Sequence, residues 1–83
     1  MTNTYYVTYY ENKQPREFAF TFNSQFAAVY KARMIRDAYG YATDVMVAGT
    51  GEIIAWFDPD GHSFIADDID ADARKIAAIP ASI

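Results

Sequence analysis

The sequence predicts an α+β domain: a mostly antiparallel, twisted sheet of order β-β-α-β-β-β that carries one long helix on one face. Five short segments are rich in aromatic and β-branched residues or alternate between apolar and polar residues, which is typical of strands. One longer segment, between the second and third of these, has the apolar spacing of a helix. Gly, Pro and Asp separate the later segments, as expected of turns.

The first two predicted strands form a hairpin. Thr4–Tyr10 is aromatic and β-branched, and Glu17–Phe22 alternates so that Phe18, Phe20 and Phe22 share one face. The stretch between them is polar and contains one Pro, which indicates a hairpin with a longer loop.

The long helix is predicted from a cap at Asn23 or Ser24 to Tyr39, with Gly40 as its stop signal. At 100° per residue its apolar side chains form two neighbouring rows. The rows expected to face the sheet are Ala27, Tyr30, Met34 and Ala38, and beside them Ala28, Ala32, Ile35 and Tyr39. Arg33 and Arg36 are expected to face solvent.

The rest of the chain supplies three strands and a short C-terminal helix. The strands are Thr43–Ala48, Glu52–Phe57 and His62–Ala66. Asp58-Pro59-Asp60-Gly61 has the chemistry of a type I turn followed by a bulge. Residues 73–79 form the helix, which Pro80 ends. We expect a single domain over residues 1–83, with an ordered core at about 4–66 and an acidic segment and short helix or tail at 67–83.

Composition excludes several classes of protein. The 83 residues contain no Cys, so disulfide frameworks, thiolate metal sites and cysteine nucleophiles are ruled out. No apolar run approaches the roughly 18 residues of a membrane span and no secretory leader is present, so we expect a cytoplasmic protein. Residues 1–43 carry five bases and three acids, whereas residues 44–83 carry eight acids and two bases. An acidic half repels phosphates and attracts basic surfaces, which disfavours direct nucleic-acid binding.

Six aspartates stand close together in the acidic half, and we weigh two roles for them. They do not match an EF-hand calcium loop, which needs glycine at its sixth position and an acidic ligand at its twelfth. In a loop that starts at Asp58, Gly61 is fourth and Ile69 is twelfth. Acids before and within the first turn of a helix cap it, and two would suffice. The alternative is an anionic patch; an extended 68–72 segment would point three of them the same way, like phosphates along a strand. The candidate residues are Asp58, Asp60, Asp67, Asp68, Asp70 and Asp72.

Aromatic residues supply the second candidate surface. Tyrosines occupy both faces of the first strand, and only one face lies under the helix. We expect Tyr5 and Tyr9 in the core and Tyr6, Tyr10 and Trp56 on the uncovered face. Two interpretations are open. Tyr and Trp are amphipathic and tolerate partial exposure, or these side chains form a protein-binding or dimer surface.

No enzyme signature is present. His62 is the only histidine, and Asp60 and Ser63 lie beside it in the sequence. Residues so close together in a turn and strand cannot easily adopt the geometry of a catalytic triad, in which a base activates a nucleophile and a third group orients the base. Gly49-Thr50-Gly51 lacks the helix and lysine of a phosphate loop and indicates a hairpin turn. We therefore expect a non-enzymatic protein with no cofactor and no metal.

The small, acidic, cysteine-free chain, its β-β-α-β-β-β order and its late strand-turn-strand EIIAWFDPDGHSFIA resemble phage and mobile-element inhibitors of bacterial defence, anti-CRISPR proteins in particular. The resemblance covers residues 4–66 in element order and carries over no individual residue. It implies inhibition by binding a basic nucleic-acid-binding protein or CRISPR effector complex in the bacterial cytoplasm. The alternative is a structural or regulatory homo-oligomer, in which the open sheet face pairs with its own copy.

Overall fold

The computed structural model describes residues 3–78 and confirms the α+β architecture. Its elements are β1 Tyr5–Glu11, β2 Gln14–Phe22, α1 Gln25–Tyr39, β3 Ala42–Val47, β4 Ile53–Phe57, β5 Ser63–Ile65 and α2 Ala71–Ala78. The strands form one antiparallel sheet in the order β2-β1-β3-β4-β5. α1 packs across β1 to β4, and α2 packs against α1. No described helix is both long and apolar enough to cross a membrane.

The sheet has two different faces. The helix-bearing face carries the core residues Tyr5, Val7, Val45 and Phe57, which are buried beneath α1. The opposite face, which we call the open face, has no helix against it in residues 3–78. The protein is therefore thin, about 16 Å in its shortest dimension. Half of the sheet surface is left for contact with solvent or another molecule.

The boundaries of α1 agree with the sequence prediction at both ends, where Ser24 and Gly40 act as the start and stop signals. The Ser24 hydroxyl accepts a hydrogen bond from the Ala27 amide at 3.2 Å, which satisfies one free donor of the first turn. Gly40 adopts φ 72° and donates its amide to the Arg36 carbonyl at 2.9 Å. This left-handed conformation strains other residues, so glycine suits the end of the helix.

The β1–β2 hairpin differs from the prediction in its turn. Asn12 and Lys13 adopt φ 54° and 66° and form a two-residue turn in place of the longer loop. Two consecutive positive φ angles are the geometry of a type I′ hairpin turn, which matches the twist of the strands. Pro15 lies inside β2, where it is tolerated because β2 is an edge strand.

A bulge in β2 overturns the expected shared face of the three phenylalanines. The β1–β2 register shifts between Val7 and Tyr9, and Phe18 opposite this shift adopts φ 54°. Phe20 remains packed on the core, whereas Phe18 packs on Tyr6 with ring centroids 4.8 Å apart. Simple alternation failed because a bulge adds residues to one strand only.

The face that α1 buries is only partly the one predicted. Ala28, Ala32 and Ile35 of the second predicted row are buried, as expected. Tyr30 and Met34 of the first row are 47% and 45% exposed, so that row does not face the core. α2 covers a different side of α1 instead.

Arg33 and Arg36 are buried, which corrects the expectation that they face solvent. Nη1 of Arg33 donates to the carbonyls of Ile76 at 2.7 Å and Ala77 at 3.3 Å, near the end of α2. Arg36 donates to the Asp58 carbonyl at 3.3 Å, and Asp37 accepts from both arginines. The two guanidinium groups are compensated by these acceptors, which allows their burial.

The acidic segment forms a turn and a helix start. Ile69 and Ala73 are buried in the core, and α2 begins at Ala71, two residues earlier than expected. The predicted helix end at Ile79 and its stop at Pro80 lie outside the described residues.

Candidate functional site

The open face carries the three aromatic residues expected there. Residues directly opposite each other in an antiparallel pair share a face. Trp56 lies opposite Asp44 and Phe64, and Tyr6 lies opposite Met46. Tyr10 completes the set, since it alternates along β1 with Tyr9, which packs against the core.

Two aromatic pairs form the apolar part of this face. Phe64 lies almost parallel to Trp56, with ring centroids 6.3 Å apart, and is 41% exposed. Phe18 lies against Tyr6 and is 51% exposed. Exposed large aromatic side chains on one uncovered sheet face are typical of a protein-binding surface.

A carboxylate lies within this aromatic face. Asp44 is half-buried, and its Oδ2 accepts a hydrogen bond from the Tyr10 hydroxyl at 2.9 Å. Burial raises the pKa of Asp44 above its usual value, the Tyr10 hydrogen bond opposes that rise, and the charge of Glu17 adds to it. Burial and the same hydrogen bond, together with the charges of Asp44 and Glu17, raise the pKa of Tyr10 to about 12. Tyr10 therefore remains a donor to Asp44 at neutral pH.

Acidic residues supply the charge of the open face. Glu17 and Asp44 act on Tyr10 at the open face. None of the seven basic residues takes an open-face position in the described strands. Arg16 lies opposite Tyr9 on the helix-bearing face and pairs with Glu11 at 3.8 Å. The open face thus presents negative charge without basic groups among its strand positions.

The six candidate aspartates do not form one patch. Asp58 borders the open face beside Tyr10 and Trp56, and Asp60 lies in the following turn. The other four, Asp67, Asp68, Asp70 and Asp72, are exposed in the turn before α2 and at its start. The extended row over 68–72 that the anionic-patch alternative would require is absent, because Ile69 turns inward and the helix begins at Ala71.

The Asp67–Asp72 segment belongs to the helical layer. The Asp70 amide donates to Gln25 Oε1 at 2.7 Å, which fixes the segment beside the first turn of α1. The Asp70 carbonyl accepts from the Arg74 amide at 2.9 Å, and Asp72 Oδ1 accepts from the Ala73 amide at 2.8 Å. The contact of the Asp72 carboxylate favours a helix-start role for this side chain, whereas the Asp70 contacts involve only its backbone.

Asp58, Asp60 and His62 bring one potential ligand atom each to within 4.8 Å of one another. Asp60 and His62 are exposed and already hydrogen-bond to each other at 2.9 Å. The His62 amide also donates to Asp60, and this bond is the main cause of the lowered pKa of Asp60. These contacts belong to the turn geometry, and we assign no metal role to the cluster.

A second apolar surface lies on the outer side of α1. Phe26, Tyr30 and Met34 follow one another at intervals of four residues and are all more than a third exposed. The Phe26 and Tyr30 rings lie 6.1 Å apart. None of these three side chains carries a charge at neutral pH, whereas the open face includes the carboxylate of Asp44, so this surface has less chemical specificity than the open face.

Sequence reasoning missed Glu17, Asp44, Phe18 and Phe64 as open-face residues. Asp44 carried a detectable signal, since it is the one charge within the otherwise apolar or small strand TDVMVA. The open-face position of Phe64 could have been predicted from that of Trp56, because the two residues pair across the hairpin whose turn is Asp58–Gly61. Phe18 and Glu17 carried no such signal, because their positions depend on the bulge in β2.

Comparison of the chain with protein-family models, curated proteins and solved structures finds no match.

Proposed function

We propose that this protein is a non-enzymatic inhibitor that binds a basic, nucleic-acid-binding surface of a bacterial defence complex through its open face. The observation that carries the proposal is an uncovered sheet face with exposed aromatic pairs and carboxylates as its charged strand side chains. Aromatic residues supply binding energy at protein interfaces, and opposite charge speeds encounter with a basic surface. The resemblance to anti-CRISPR proteins in size, acidity and element order supports this class of target and a bacterial cytoplasmic location.

The binding role is divided between two regions in this proposal. The open face, with Tyr6, Tyr10, Trp56 and the neighbouring Asp58, makes the contact. The acidic residues of the helical layer contribute long-range attraction, because they lie on another side of the molecule. Asp60 at the turn belongs with the edge of the contact.

Absence of catalysis is part of the proposal. The Asp60–His62 pair is the closest approach to a catalytic arrangement, and it is exposed on a hairpin turn. Within residues 3–78, no serine or threonine hydroxyl hydrogen-bonds to His62 to complete a nucleophile and base.

The test measures target-DNA binding by a panel of purified CRISPR effector complexes with increasing amounts of this protein. Phe64→Ser removes an exposed open-face ring, and Tyr39→Ser removes a ring that is 69% exposed at the end of α1. We expect inhibition by the wild type and by Tyr39→Ser, and inhibition about tenfold weaker for Phe64→Ser. Undisturbed DNA binding across the panel, or equal potency of Phe64→Ser and wild type, contradicts the proposal.

A homo-oligomeric module is the second candidate, and the outer side of α1 favours it. Phe26, Tyr30 and Met34 are evenly spaced about Tyr30, so two antiparallel copies of α1 pair this row with itself. Light scattering after size-exclusion chromatography tests this candidate. A dimer that Tyr30→Ser dissociates and Phe64→Ser does not supports it, and a monomer at high concentration contradicts it.

A further inference from the structure

A cleft of about 220 Å³ opens on the open face between β1, β3 and β4. Aromatic and apolar side chains of Tyr10, Trp56 and Ile53 line it, together with Asp44 and Asp58. Ligand pockets for drug-sized molecules measure roughly 300–1,000 Å³. The smaller cleft therefore suits a single side chain of a binding partner better than a cofactor.

The carboxylates in the cleft have no cationic partner in residues 3–78. The ion pairs of these residues involve Glu11, Asp37 and Asp60, and neither Asp44 nor Asp58. Oδ2 of Asp44 accepts from Tyr10, whereas Oδ1 accepts no hydrogen bond from a described residue. A half-buried carboxylate with a free oxygen favours a cation that enters the cleft.

The aromatic wall selects the kind of cation. Trp56 lies directly opposite Asp44 on the neighbouring strand, so ring and carboxylate are adjacent. A guanidinium group is planar, lies flat on an indole ring and offers five N–H donors to carboxylates at the same time. A lysine ammonium is a compact, strongly hydrated charge that does not combine these contacts equally well. Arg36 donates to the Asp58 backbone carbonyl.

We propose that this cleft receives an arginine side chain of the partner protein, with the guanidinium against Trp56 and hydrogen-bonded to Asp44. The inference rests on the proposed function, whose target is a basic surface, and names the group that the open face recognises. Arginine is common on such surfaces because it binds phosphates through the same fork of donors.

Trp56 is the single tryptophan of the chain and lies in the cleft, so its fluorescence reports on occupancy directly. The probe is the peptide acetyl-Gly-Arg-Gly-amide, compared with peptides that carry lysine or citrulline, the neutral analogue of arginine, in its place. We expect a saturable change in Trp56 emission with arginine, a several-fold weaker response with lysine and none with citrulline.

Asp44→Asn keeps the size of the side chain and removes its charge, and Asp68→Asn makes the same change in the exposed turn before α2. We expect Asp44→Asn to weaken binding of the arginine peptide about tenfold and Asp68→Asn to leave it unchanged. Equal responses to arginine and citrulline, or equal affinities of wild type and Asp44→Asn, overturn the inference. Neither result depends on a CRISPR effector, so failure here is distinct from failure of the inhibition assay.

Discussion

At the scale of single residues, Asp44 combines a role in the candidate site with a cost in stability. Its side chain is half-buried on the open face, and its only hydrogen-bond donor among the described residues is Tyr10. Burial is the main reason that the pKa of Asp44 is raised above 3.8. The ionised form is therefore less favourable in the folded chain than in the unfolded chain.

The raised pKa gives a stability prediction with a defined sign. The folded state binds the Asp44 proton more tightly than the unfolded state does, so the contribution of Asp44 to the free energy of unfolding falls as pH rises above 3.8 through the folded pKa. The side chain in the Asp44→Asn variant cannot ionise, and its amide oxygen can still accept the hydrogen bond from the Tyr10 hydroxyl. We expect its melting temperature to exceed that of wild type at pH 7.

The pH dependence distinguishes ionisation from a packing effect. As pH falls below 3.8, Asp44 becomes protonated in both states, so the advantage of Asp44→Asn fades there. Asp68→Asn is the matched control, and a surface change of this kind alters stability by about 0.5 kcal/mol or less. A constant difference between Asp44→Asn and wild type from pH 3 to pH 7 contradicts the prediction.

At the scale of elements, α2 is held to α1 by a buried guanidinium. Arg33 donates to the carbonyls of Ile76 and Ala77, which lie in the last turn of α2 and have no partner further along a described helix. Arg33→Met keeps an apolar stem and removes these donors. We expect a loss of about 1–3 kcal/mol in the free energy of unfolding, measured by urea denaturation.

A second arginine offers a control for this contact. Arg74 donates to the carbonyls of Ala66 and Asp67, but it lies at the exposed surface. Arg74→Met is expected to cost less than about 1 kcal/mol, because water replaces the lost hydrogen bonds. Equal losses for Arg33→Met and Arg74→Met would show that burial of Arg33 does not strengthen its contacts.

The elements also show what a sequence can predict here. Ser24 and Gly40 fixed the ends of α1, because caps act through residues within one turn. The burial of Arg33 and Arg36 escaped prediction, because it depends on α2 and the Asp58 carbonyl, which arrive from distant parts of the chain. On the open face, the positions of Tyr6 and Tyr10 agree with the alternation of β1, and Trp56 lies on the same face although its own strand does not alternate. The pairing of Asp44 with Trp56 required the strand register, which alternation alone does not supply.

At the scale of the whole molecule, helices cover one face of the sheet, and no described element covers the other. The exposed aromatic pairs and Asp44 lie on the open face, whereas Asp67 and Asp68 lie in the turn that leads into the helical layer. Charges outside a contact influence mainly the association rate, and buried contacts influence mainly the dissociation rate. The proposed inhibitor should therefore respond differently to changes in the two regions.

The kinetics of binding to a target effector complex test this division. The double variant Asp67→Asn and Asp68→Asn is expected to lower the association rate several-fold at low salt and to lose that effect at high salt, because added ions screen exposed charges. Phe64→Ser is expected to raise the dissociation rate about tenfold at either salt concentration, because it removes an apolar contact. A double variant that changes mainly the dissociation rate would instead place the turn before α2 inside the interface, and the contact would then extend beyond the open face.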